Sequence, residues 1–133
     1  VSVELENIGD VIRNGMAYER TRAEIASYNL AMANVVMAPG QAPPLLRVLP
    51  PNGFANRLNA APPTVEPQLD AGVRLAHEPS HPMADSNGMV HYPRVEAATE
   101  MATLVSATRA YEANIRAYNS LRAMNLKAFE IGK

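Results

Sequence analysis

The chain has 133 residues, no cysteine or tryptophan, 47% hydrophobic but only 5% aromatic residues, and a formal charge of −1 at pH 7. That is one domain's worth of chain, and an apolar fraction built mostly from Ala, Val, Leu and Met suits close helix packing better than a pocket with large anchors. The missing thiols exclude disulfides, thiolate zinc sites and a cysteine nucleophile, and the near-neutral charge argues against a broad electrostatic footprint for nucleic acid.

No apolar run approaches the ~20 residues that span a bilayer. The stretch Val1-Ser2-Val3-Glu4-Leu5-Glu6 is acidic and lacks a basic segment leading into an apolar one, so no cleavable secretory signal is expected. All 11 prolines lie between Pro39 and Pro93. Because proline costs ~3 kcal/mol inside a helix, the flanks are free to form long helices and the middle is not. The expected fold class is mainly α, with two long terminal helices paired in coiled-coil fashion and a Pro-rich, partly β insert between them. Three segments follow: an N-terminal helix in 1–37, an insert with short strands and a β-hairpin turn in 38–93, and a C-terminal helix in 94–133.

The first helix is expected from about Ile8 to Met37. Ala23, Ala26, Leu30, Ala33 and Met37 step at three and four residues and share a stripe, with Ile25, Asn29, Met32 and Val36 beside it. Gly9 and Gly15 each weaken the first turns by roughly 1 kcal/mol relative to Ala, so this end is expected to fray until something packs on it.

In the insert, Leu45–Leu49 and Gly72–His77 read as short strands. Residues 59–67 read as extended linker. Pro50-Pro51-Asn52-Gly53 and Asp85-Ser86-Asn87-Gly88 are turn signals, the second carrying the Asn-Gly pair that favours a type I′ hairpin.

The second helix is expected from about Arg94 to Glu130, roughly 55 Å long. Pro93 fits at or just before its first turn, Glu96 and Glu100 suit the positive end of its dipole and Lys127 the negative end, and Gly132 is a stop signal. At 100° per residue, Met101, Leu104, Thr108, Tyr111, Ile115, Tyr118 and Phe129 form one stripe. Ala110, Ala117, Leu121, Met124, Ala128 and Ile131 form another, more than a quarter-turn away. One partner helix covers one stripe, and a single chain offers one long partner. The second neighbour is therefore expected from another subunit. Segment 1–37 carries five acids against three bases, and 94–133 six bases against four acids; this complementarity is a minor term, since exposed pairs contribute only about 0–1 kcal/mol each.

Chemistry-bearing groups are sparse. His77, His81 and His91 lie close in sequence to Glu78 and Asp85, a metal-ligand vocabulary, but none has a helical i, i+4 partner of ligand type. Asp85-Ser86-Asn87-Gly88 has glycine too early for a calcium loop. Nucleophile elbows, phosphate-cradling loops and zinc-protease histidine pairs are absent, so neither enzyme activity nor a cofactor is expected. A small metal-binding module or enzyme centred on the three histidines is the alternative reading. A membrane-surface helix is disfavoured because the polar arc lacks excess Lys and Arg. Asn29, Asn34, Asn114, Asn119 and Asn125 are poor helix formers, and an amide in a helix seam fixes register at a cost in stability.

Residues Glu78–Val90, Tyr92–Val95, Glu100-Met101, Ser106–Asn114 and Leu126–Lys133, together with Asn29-Leu30-Ala31 in the first helix, carry a resemblance. On these motifs the chain resembles the bacterial flagellar basal-body rod protein family, on its short proximal-rod side rather than the distal types. Met32 stands where the family has a second asparagine, Tyr28 where a small residue is usual, and Val35 and Val36 where a Thr commonly follows. The resemblance implies a structural subunit that polymerises through its terminal helices into the axial drive shaft. It implies a place in the basal-body rod within the periplasmic space, and passage through the flagellar type III export apparatus without signal cleavage. The implied partners are copies of the chain and other rod or axial proteins, with no nucleic acid and no membrane insertion. The expected subunit-interface residues are Asn29, Leu30, Ala33, Met101, Leu104, Tyr111, Asn114, Ile115, Tyr118 and Leu121.

Overall fold

The computed structural model describes residues 2–52 and 61–132. Its elements run α1 (Ser2–Met32), β1 (Leu46–Val48), β2 (Val65–Pro67), β3 (Val73–His77), β4 (Met89–Pro93) and α2 (Ala97–Ile131). The protein is mainly helical: two long helices, one from each end of the chain, with a small strand-containing middle.

The helices run antiparallel. Gly9 faces Leu121, Gly15 faces Asn114, Arg13 lies over the Tyr118 ring and Asn29 reaches Glu100, so positions whose numbers add to about 130 meet. On α2 the seam runs through Glu100, Leu104, Ala107, Tyr111, Asn114, Tyr118, Leu121 and Asn125, stepping alternately by four and three, with Thr103 and Ala110 also half-buried beside it. Gly9, Ile12, Met16, Glu19, Ala23, Ala26 and Leu30 make the matching set on α1.

This seam differs from both stripes expected for α2. It runs between them, taking Leu104, Tyr111 and Tyr118 from one and Leu121 from the other. Small residues explain the choice: Ala107 is fully buried, and Gly9 and Gly15 let α2 approach α1 closely. The helix therefore begins at Ser2 instead of fraying ahead of Ile8, since the glycines that weaken its first turns are also where its partner packs.

Other boundaries shift for local reasons. α1 stops at Met32, and Met37 leaves the helix to bridge His91 on β4. No basic residue occupies the last turn of α1. Arg74 of β3 supplies the cation instead, donating to the Ala33 carbonyl at 3.2 Å, where the helix dipole favours positive charge. Pro93 is not a first-turn residue. It ends β4 opposite Val73 and is fully buried, so α2 starts at Ala97, with Glu96 at the cap position making no side-chain cap. At the far end Gly132 keeps a right-handed φ of −77°, its N–H bonded to the Ala128 carbonyl.

The middle forms two antiparallel hairpins. β1 pairs with β2, Leu46 opposite Pro67 and Val48 opposite Val65, so residues 65–67 are strand where extended linker was expected. The Pro50–Gly53 turn runs into residues 53–60, which lie outside the description. β3 pairs with β4 from Val73–Pro93 to His77–Met89. The type I′ turn at Asn87-Gly88 does not form: that turn needs positive φ at both residues, and only Gly88 has it, at 73°. The core is small and lies where the hairpins meet the helix pair, around Ala26, Met37, Leu45, Val90 and Ala107.

The two seam glycines differ in the room they leave. A Cβ on Gly9 would meet Leu121 at an ordinary 3.8 Å, whereas one on Gly15 would crowd the Asn114 amide at 3.2 Å. Gly9→Ala should raise stability by about 0.5–1 kcal/mol in urea unfolding. Gly15→Ala should gain clearly less, and equal gains would show that the Asn114 side chain is not held in place.

Candidate functional site

The ten expected interface residues divide by location. Met101 and Ile115 are exposed. Leu30, Ala33, Leu104, Tyr111, Asn114, Tyr118 and Leu121 are half-buried, and Asn29 is buried. Six of them, Leu30, Leu104, Tyr111, Asn114, Tyr118 and Leu121, line the seam between α1 and α2. The structure thus turns most of the set inward and leaves Met101 and Ile115 on the outer surface.

Asn29 is 2% exposed, and its amide is spent entirely within the chain. Its Oδ1 accepts from the Leu46 N–H at 3.0 Å. Its Nδ2 donates to the Leu46 carbonyl at 2.8 Å and to Glu100 Oε1 at 3.2 Å. The side chain pairs with β1 as a neighbouring strand would, and the remaining amide hydrogen ties α2 to the same point. Asn29 thereby ties α1 to β1 and α2 within one chain, because β1 brings two main-chain partners that no helix face offers.

The histidines are not gathered. His91 Nε2 lies 2.9 Å from Asp85 Oδ2, His81 Nδ1 accepts from the Met83 N–H, and His77 lies beside Gly88. Among the described residues, no group of three or more His, Asp or Glu is placed to hold a metal ion. The metal-module reading therefore has no support.

Asp85 instead organises the hairpin loop. Its Oδ1 accepts from the Asn87 and Met89 N–H groups at 2.9 and 3.0 Å, and its carbonyl accepts from Gly88 at 3.0 Å. The resulting four-residue turn has glycine at its last position. Bonding to His91 first, and to the Met89 and Asn87 amides, holds the Asp85 carboxyl below its ordinary range.

The distinctive surface is apolar. Met101, Val105, Met124, Leu126, Phe129 and Ile131 are each more than half exposed, and Val3 and Ile8 on α1 are also exposed. They flank the seam on both sides of α2, as follows from a partner helix seated between two apolar stripes. Met101 and Val105 share a shallow depression with Ala102, Ser106 and Arg109. Among the described residues no helix is long and apolar enough to cross a membrane.

Asn29→Ala should destabilise the fold by about 2–3 kcal/mol in urea unfolding, because it strands both main-chain groups of Leu46. A loss below about 0.5 kcal/mol would mean that water replaces the amide. Asp85, with its folded pKa depressed, contributes stability that is present above the ordinary carboxylate range and lost as pH falls through the folded value. Amide exchange at Asn87 and Met89 should therefore quicken, relative to intrinsic rates, on acidification below about pH 4, and Asp85→Asn should abolish that acid response.

A family model described as "Flagellar basal body rod FlgEFG protein C-terminal" matches residues 86–131, which include β4 and all of α2. The flagellar basal-body rod protein FlgC of Salmonella typhimurium is 34% identical, over 97% of this chain and 98% of that protein. FlgC of Escherichia coli O157:H7 is 31% identical over the same shares of the two chains. FlgC of Bacillus subtilis is 45% identical over 48% of this chain and 43% of its own length. With such similarity across almost the whole chain, and with the helices and hairpin carrying the motifs read in the sequence, the protein belongs to the FlgC family of flagellar basal-body rod proteins.

Proposed function

We propose that this chain is a non-catalytic subunit of the proximal rod of the flagellar basal body. It joins copies of itself and sister rod proteins through the apolar flanks of its helix pair, and helps to form the torque-transmitting shaft. In this reading 1–37 and 94–133 form the axial core as a two-helix coiled coil, and 38–93 forms the part outside it. The subunit reaches the periplasmic space through the flagellar type III export apparatus.

The observation that supports the reading is the apolar surface on both sides of α2. Ile115 lies on one flank and Met124, 62% exposed, on the other. At roughly 25 cal/mol per Å² of apolar surface removed from water, covering these flanks favours association strongly, and no segment of the described chain covers them. Of the ten interface candidates, Met101 and Ile115 touch neighbouring subunits in this reading. The eight others act indirectly by holding the helices in the register that presents the flanks. The heterologous, non-closing contact this requires extends as a helical assembly.

Ile115→Glu and Met124→Glu should each abolish swimming and incorporation into basal bodies. Because both side chains lie outside the seam, unfolding of the free subunit should change by no more than about 0.5 kcal/mol. Normal swimming by both variants would refute the proposal. Sedimentation of wild-type protein should also show the associated fraction rising with concentration, a rise that either variant removes.

A further inference from the structure

The chain contains three Asn-Gly pairs, Asn14-Gly15, Asn52-Gly53 and Asn87-Gly88. Such a pair carries a reaction of its own. The glycine main-chain nitrogen, shielded by no side chain, attacks the asparagine Cγ. A bond forms between them, the bond from Cγ to Nδ2 breaks, and ammonia leaves with the proton from the glycine nitrogen. Water then opens the resulting imide ring to aspartate or to isoaspartate, in which the main chain is one carbon longer. The whole conversion consumes water, releases ammonia and needs no other reagent.

The fold treats the pairs differently. Asn14-Gly15 lies inside α1, whose hydrogen-bond ladder takes up the Gly15 N–H and fixes the dihedral angles, so ring closure is blocked while the helix stands. Gly53 lies outside the described residues. Asn87 is exposed in the loop before β4, and among the described residues nothing bonds its side-chain amide. Glycine is needed next to it: Gly88 has φ 73°, and a Cβ there would stand 3.1 Å from Pro79 Cγ. The loop therefore sets an open amide beside a nitrogen that no side chain can shield.

Asp85 is what restrains the pair. Its carbonyl accepts from the attacking nitrogen itself, the Gly88 N–H, at 3.0 Å. Its Oδ1 accepts from the N–H groups on either side, Asn87 at 2.9 Å and Met89 at 3.0 Å, and its own N–H donates to the Met89 carbonyl at 2.9 Å. To reach Cγ, the Gly88 nitrogen must give up its proton and turn within a loop fixed at all these points. We propose that Asn87 is a latent deamidation site, kept intact in the folded chain by the Asp85 bonds. Conversion to isoaspartate lengthens the main chain where Gly88 packs closely on Pro79, and it adds a carboxylate near Asp85, so a single event unfastens the loop for good.

Peptide mapping by mass spectrometry of the full chain, aged in mildly alkaline buffer, follows each pair through its conversion of amide to acid. In urea, Asn14 and Asn87 both report the unrestrained rate. In the folded wild type Asn87 should react ~10-fold or more slowly than in urea, since bonds to a carboxylate are among the stronger ones. Asp85→Ala should remove most of that protection while Asn14 stays protected, which marks the opening as confined to the loop. An Asn87 rate equal in folded and urea-treated wild type would overturn the proposal, and so would an unchanged rate in Asp85→Ala. If Asn14 loses protection as well, that variant has unfolded and Asp85→Asn decides. It keeps an acceptor oxygen but loses the charge, so Asn87 should react ~3-fold or more faster than in wild type; a wild-type rate there refutes the role of Asp85.

Discussion

The seam between α1 and α2 governs the rest of the molecule, and Asn29 is where it is fastened to the insert. A buried amide in a helix interface costs stability unless every polar group is met. Here the Leu46 main chain and the Glu100 carboxylate meet it, so α1, β1 and α2 are joined at one point. A shift of either helix by one residue would break these bonds and turn its seam positions about 100° away from the partner. The amide therefore adds a polar penalty for misregister to the packing of the seam.

From that register follows the character of the surface. Small residues in the seam draw the helices together along the line between two apolar stripes, and the outer half of each stripe is left to solvent. The observed pairing keeps two greasy flanks, one on each side of α2, which is the arrangement that the proposed contacts with neighbouring subunits use. Their exposure is a consequence of which side of α2 the glycines of α1 can approach, and it supplies the driving force for assembly proposed above.

The insert contributes order at its own edges. Met37 donates to the His91 carbonyl at 2.8 Å, and Arg74 stacks on Tyr92 4.4 Å from the ring centroid while capping α1. Asp85 stitches the loop that precedes β4. These polar contacts substitute for a large core in a middle segment whose prolines forbid helix and interrupt strand ladders.

Much of this was legible in the amino-acid order. The confinement of proline to the middle determined that the ends are helices, and the apolar periodicity of α2 determined that one partner could not cover it. The motifs of α2 and of the turn before β4 carried the family. Those properties are local, set by dihedral limits and by spacing along a single element. The choice of seam, the pairing of residues 65–67 as a strand and the rejection of a type I′ turn were decided only in three dimensions. So were the destination of the Asn29 amide and the supply of a cation to α1 by Arg74. Most depend on groups 17 to 71 residues apart, and the turn depends on Asp85 bonding the Asn87 and Met89 amides in competition with the Asn-Gly preference. A periodic pattern states how much apolar surface a helix carries, and the close approach of glycine and alanine across the interface settles which part of it is buried.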